Sequence, residues 1–169
     1  MADAGKQIAT AQVVRKGVFD AKDFYVAMWS FMKDTLGYGF SEDQYSQWET
    51  SYGTAIEFHW TFTREQEDYV HYRIWIECKF RGLKKVKVPV NGKSKSMDKG
   101  EVEFNIKGVL ILDPGNKWGS HPILKHFKDW LYEKRIYKDQ IEDYIERLWE
   151  HVYNLEGEAK AFFDLPKFT

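Results

Sequence analysis

The stretch TAIEFHWTFTREQEDYVHYRIWIECKF, Thr54 to Phe80, decides how this chain is read. In its first half Ile56, Phe58, Trp60 and Phe62 alternate with Glu57, His59 and Thr61. In its second half Val70, Tyr72, Ile74, Ile76, Cys78 and Phe80 alternate with His71, Arg73, Trp75, Glu77 and Lys79. Successive side chains of a strand point to opposite faces, so a period of two gives each strand one apolar and one polar side. The polar run Arg64–Asp68 between them reads as a turn, and the pair reads as an antiparallel hairpin with one face on a core. Centring that turn on Gln66 sets His59 opposite Arg73.

Working outward, Val86, Val88 and Val90 continue the apolar face in a third strand, and Pro89 suggests a strand end or edge. Asn91-Gly92 suits a two-residue turn that sets Val88 across from Lys95 and Val86 across from Met97. A second turn at Asp98-Lys99-Gly100 is expected before a strand carrying Val102, Phe104 and Ile106, with a bulge or bend at Gly108. Towards the N-terminus, residues 1–10 read as a flexible start, 11–19 as a short strand and Ser41–Tyr52 as a polar link. Residues 20–37 read as a helix, with Asp20 as N-cap and Gly37 as its stop. Its apolar side chains surround most of the circumference, as in a helix buried on more than one side. Two further helices are expected. One rests on Ile123, Leu124, Phe127, Trp130 and Leu131. The other rests on Ile141, Tyr144, Ile145, Leu148, Val152 and Leu155, with Gly157 as a kink or break. The expected fold is α+β: an antiparallel meander of four to five strands, with one N-terminal and two C-terminal helices packed on one face, in one domain spanning 11–169.

Composition bounds the function classes. The chain has 169 residues, with aromatics at 17% and a formal net charge of −1, which argues against a protein that coats nucleic acid. Charge is uneven. Leu83–Gly108 carries seven lysines against Asp98, Glu101 and Glu103, whereas 137–164 carries eight acids against Lys138, Arg147 and Lys160. A dipolar molecule of this kind suits self-association or docking on a charged partner. The single cysteine, Cys78, excludes an internal disulfide and fits a reduced cytoplasmic setting. No apolar run approaches the roughly 18–20 residues of a membrane span, and the first twelve residues lack the apolar core of a secretory signal.

No constellation points to catalysis. Phosphate loops, nucleophile elbows and paired-cysteine motifs are absent. Cys78 falls on the apolar side of its strand, where a small buried hydrophobe is expected rather than a nucleophile. His59 and His71 share a sheet face with Glu57 and Glu77, but an arginine opposite one ligand opposes a metal. His121, His126 and His151 read as surface residues, and the acids of the last helix as a solvated face. The expectation is therefore no catalytic, cofactor or metal residues, and a non-enzymatic binding or assembly module acting on a protein partner or on itself. Two alternatives stand beside it. One is nucleic-acid or polyanion binding through the basic 79–107 face, with Trp75 as stacking platform and Arg73, Lys79, Lys85, Lys87, Lys93 and Lys95 as cations. Lysine-only chemistry, acidic cross-strand neighbours and the use of lysine to guard sheet edges count against it. The other is a carrier of a small apolar ligand between sheet and helices.

Three stretches, DAKDFYVAMWSFMKDTLGYGF (20–40), KGEVEFNIKGVLILD (99–113) and HPILKHFKDWLYEKRI (121–136), resemble small uncharacterised archaeal α+β proteins. The resemblance spans about residues 13–164 and carries no known activity or site residue with it.

Overall fold

The period-two segments form one sheet. In a computed structural model of the chain, which describes residues 5–116, 122–123 and 138–164, five antiparallel strands stand in the order β1-β5-β4-β3-β2. They are β1 (Gly5–Phe19), β2 (Gly39–Thr50), β3 (Gly53–Glu67), β4 (Val70–Val90) and β5 (Lys93–Leu112). Helix α1 (Ala21–Ser30), extended by a π-helical turn at Phe31–Thr35, carries the chain from β1 on one edge to β2 on the other. Strands β2 to β5 are a meander, though not of the expected members: the third strand expected at Val86–Val90 is the continuation of β4. Helix α2 (Lys138–Asp164) lies against β1, β5 and α1. The expected helix around Ile123–Leu131 lies outside the described residues, save 122 and 123.

Local chemistry explains the first helix. The Asp23 backbone N–H donates to Asp20 Oδ1 at 3.0 Å, which makes Asp20 the N-cap. Phe24, Met28 and Met32 on the sheet side are buried, and Tyr25 sets its ring edge-on to Phe58 and Trp60. Helix α2 supplies the second cover with Leu148, Val152, Leu155 and Ala159, all fully buried. It runs unbroken through Gly157, where the sequence suggests a kink. Near its end Phe163 stacks on Phe24 at 4.9 Å and meets Phe19 edge-on. The aromatic surplus is thus largely a core of interlocked rings.

The structure departs from the sequence reading where pairing overrides local pattern. Strand β1 begins at Gly5, inside the stretch expected to be a flexible start, because it pairs along β5 from Ile111 to Asp98. The expected polar link is instead the edge strand β2. A bulge between Glu42 and Gln44 breaks its alternation, and its mostly exposed polar residues give no apolar signal. The β3–β4 turn falls at Asp68-Tyr69, so His59 faces Glu77 and Arg73 faces Thr63. Asn91-Gly92 does form the tight turn, with φ of 50° and 75°, and sets Val88 on Lys95 and Val86 on Met97. No second turn exists at Asp98-Lys99-Gly100: β5 runs straight through it, pairing with β1 and β4 together. The irregularity expected at Gly108 lies opposite it, in β1 between Gln7 and Ala9.

A bulge in β4 decides which of its side chains meet the helices. The β4–β5 register shifts between Arg81 and Lys84. An extra residue reverses the facing of everything beyond it. Leu83, not Gly82, joins Phe80 on the buried side, and the alternation then places Lys85 and Lys87 towards α1. Val86, Val88 and Val90, expected to continue the apolar face, fall on the other side.

Candidate functional site

The inner face of the sheet is covered unequally. Among the described residues, helix α2 lies mainly on β1 and β5 and reaches β4 at Tyr72, whose hydroxyl donates to the Tyr144 carbonyl, while α1 lies over Phe58 and Trp60 of β3 and Phe80 of β4. At about 1.5 Å per residue α1 with its π-helical turn, Ala21 to Thr35, spans about 20 Å, whereas strands of 12 to 21 residues run about 40 Å or more. The sheet therefore outreaches its cover, and a cleft of about 580 Å³ opens between α1 and β2.

Its floor is apolar: the buried rings of Phe58 and Phe80, with Ile56 and Leu83 beside them. One lip is α1, through Ala21, Tyr25 and Val26; the other is β2, through Tyr45 and Gln47. The β2 bulge turns those two residues inward, by pairing Tyr45 with Phe58 and Gln47 with Ile56. Val26 and Tyr45 remain 49% and 51% exposed, so apolar surface faces water on both sides of the mouth.

The polar end is built around Asp98, which is buried. Its Oδ2 accepts the Ala21 backbone N–H at 3.0 Å and its Oδ1 meets Lys85 Nζ at 2.8 Å. One carboxylate thus satisfies the first turn of α1 and holds a lysine at the cleft, and the hydrogen bond to it raises the Lys85 pKa. Lys95 lies 3.6 and 3.7 Å from Asp20 and Asp23 of the same helix end. Midway along α1, the Tyr25 hydroxyl donates to Glu42 at 3.0 Å, and burial raises its pKa first, the Glu42 bond second.

The residues expected to make a basic interface do not form one. Trp75 and Arg73 are on the outer face, where Arg73 and Lys107 lie 5.9 and 5.1 Å from the Trp75 ring. Lys79 shares that face but is spent on Glu77 at 2.8 Å. Lys85 is on the opposite face beside α1, the register placing Lys87 with it, and Lys93 flanks the hairpin turn. The bulge that divides these lysines is marked in the strand by Gly82, at φ 62°, and by Leu83 falling three residues after Phe80.

Two further groups differ from expectation. Glu57, His59 and Glu77 present ligand atoms within 4.8 Å of one another. Having Glu77 rather than Arg73 opposite His59 lifts the objection raised from sequence, but the Lys79 ammonium sits on Glu77 in the place a cation would take. The three are in close polar contact, His59 Nε2 being 2.9 Å from Glu57 and 3.4 Å from Glu77. His151, expected at the surface, is buried, with Nδ1 2.8 Å from the Tyr38 hydroxyl. Burial lowers its pKa to about 4, with Arg64 and Arg147 acting in the same direction. Cys78 is a buried free thiol, and burial raises its pKa well above the ordinary value.

No described helix is long and apolar enough to cross a membrane. Comparison with protein-family models, curated proteins and solved structures finds no match to the chain.

Proposed function

We propose that the chain is a non-enzymatic, cytoplasmic binding module that carries a small, mostly apolar molecule in the cleft between α1 and β2. The observation that supports this is the cleft itself. It offers about 580 Å³ above a floor of Phe58, Phe80 and Ile56, with α1 on one side and β2 on the other. That volume falls within the roughly 300–1,000 Å³ typical of small-molecule sites. Burying the exposed lips Val26 and Tyr45 under a ligand contributes about 25 cal/mol per Å² of apolar area removed from water. Gln47 and Lys85 at the rim supply donors for one polar group on the ligand. A carrier accounts for more of the molecule than a protein-docking module does, because it uses the asymmetry of the helical cover.

The test is displacement of the fluorescent probe 1-anilinonaphthalene-8-sulfonate by dodecanol and by dodecanoic acid. Val26→Trp places an indole into the cleft from an exposed helix position, so folding is retained while volume is lost. A carrier should show saturable probe binding, displacement by at least one of the two compounds, and a loss of about tenfold in affinity in Val26→Trp. Probe binding unchanged in Val26→Trp, or no displacement by either compound at about 1 mM, would refute the proposal.

A further inference from the structure

The polar face of the sheet carries a second concavity, separate from the α1 cleft. A twisted sheet is saddle-shaped, so its outer face is hollow along one diagonal. Here the hollow measures about 720 Å³ and crosses all five strands. The pairing places two adjacent rows of side chains in it. One is Gln12, Asn105, Glu77 and His59, each opposite the next; the other is Thr10, Lys107, Trp75 and Thr61.

The first row is a connected rail. Gln12 Nε2 donates to Asn105 Oδ1 at 2.8 Å, Asn105 Nδ2 donates to Glu77 Oε2 at 3.3 Å and to Glu103 at 2.9 Å, and His59 Nε2 lies 3.4 Å from Glu77 Oε1. Amide, carboxylate and imidazole are thus held at fixed spacing across four strands, with lone pairs left over on Gln12 and Glu77. Such a rail is pre-organised, so little side-chain ordering remains to oppose binding. In the second row Trp75 is 37% exposed, with the Lys107 ammonium 5.1 Å and the Arg73 guanidinium 5.9 Å from its ring centre, and the rest of the indole faces solvent beside that rail.

Charge narrows the ligand class. The hollow is lined by the carboxylates of Asp43 and Glu77, the Lys107 ammonium and the His59 imidazole. That balance offers no net attraction to a polyanion, whose binding rests on several uncompensated cations. An apolar ligand laid over the rail would strip water from Gln12, Asn105, Glu77 and His59 without replacing those hydrogen bonds. A neutral polyhydroxylated ring satisfies both rows: its C–H face packs on the indole, and its hydroxyls donate to Glu77 and Gln12 and accept from the amides. We infer that this hollow is a carbohydrate-binding site, with Trp75 as the platform and the Gln12–Asn105–Glu77–His59 row reading the hydroxyls.

The test uses calorimetry and ligand-observed NMR with maltose, cellobiose, xylobiose, mannobiose and N,N′-diacetylchitobiose. At least one of these should bind with a Kd below about 5 mM. Trp75→Ala should weaken that binding by about tenfold, with Trp75→Phe intermediate and Glu77→Gln also weaker. Raising NaCl from about 50 to about 500 mM should leave the affinity unchanged. Both positions are solvent-accessible, and an unchanged thermal transition confirms that each variant is folded. Three results would overturn the inference. They are no binding by any disaccharide at about 10 mM, binding indifferent to Trp75→Ala, and Trp75-dependent, salt-sensitive binding of an oligo-dT strand in place of sugars. Probe displacement in the α1 cleft should be unaffected by all three variants, so the two sites succeed or fail separately.

Discussion

Mild acid should loosen this protein through one residue, His151. From α2 its imidazole packs against the Tyr38 hydroxyl, with Tyr72 edge-on at 5.8 Å and Arg64 and Arg147 adding positive potential. The folded-state pKa is lowered from 6.5 to about 4. A lowered histidine pKa means that the unfolded chain binds the proton more readily. Its stabilising contribution is therefore complete above about pH 6.5 and is lost as pH falls towards about 4. Between pH 7 and about 4.5 that difference integrates to about 2.4 kcal/mol, or about 2 kcal/mol with some discount for solvent screening. For a chain of this size that corresponds to a fall in Tm of about 4–8 °C. Glu77 and Glu103 do not confuse the window. Their pKa values are lowered, by Lys79 in the first case and by Asn105 and Arg81 in the second, so their contributions fade only under more acid conditions. The assay is urea unfolding followed by circular dichroism at half-unit pH steps, for the wild type and for His151→Gln. The variant keeps a polar partner for Tyr38 but does not titrate, so its stability should be nearly flat across the window. Parallel losses in the two proteins would refute the reasoning.

Three other perturbations test the packing. A Cβ on Gly108 would lie 2.6 Å from Val152 Cγ2, so Gly108→Val should push α2 off β5 and cost about 2–4 kcal/mol in urea unfolding, with Gly108→Ala about 1–2. Asp98→Ala leaves the Ala21 N–H and Lys85 without their partner; a loss of about 1–2 kcal/mol is expected, together with weaker probe binding in the α1 cleft. Cys78, buried among the core rings with its thiol pKa raised, should resist dithionitrobenzoate in the native state and react fully in guanidinium.

Much of the architecture is legible in the sequence because it is written in short-range periodicity. The alternation in β3 and β4, the Asp20 cap, the Asn91-Gly92 turn and the Leu148–Val152–Leu155 stripe each depend on neighbours within a few residues. Strand β2 is not legible: as an edge strand it buries little, and its bulge interrupts the alternation that would betray it. Among the outer-face residues, alternation places Trp75, Arg73 and Lys79 correctly but does not give their partners. Moving one turn from Gln66 to Asp68-Tyr69 replaces Arg73 by Glu77 across from His59.

The division has a physical cause. Sequence by itself determined which segments are amphipathic and with what period, since side-chain direction follows from local backbone geometry. Only the tertiary structure decided register, because one bulge at Gly82-Leu83 exchanges the two faces for every residue beyond it and sends Lys85 to α1 and away from Trp75. Only the tertiary structure decided the two hollows as well. One exists because a short helix caps a longer sheet, the other because five twisted strands bring Gln12, Asn105, Glu77 and His59 into one row from positions far apart in the chain.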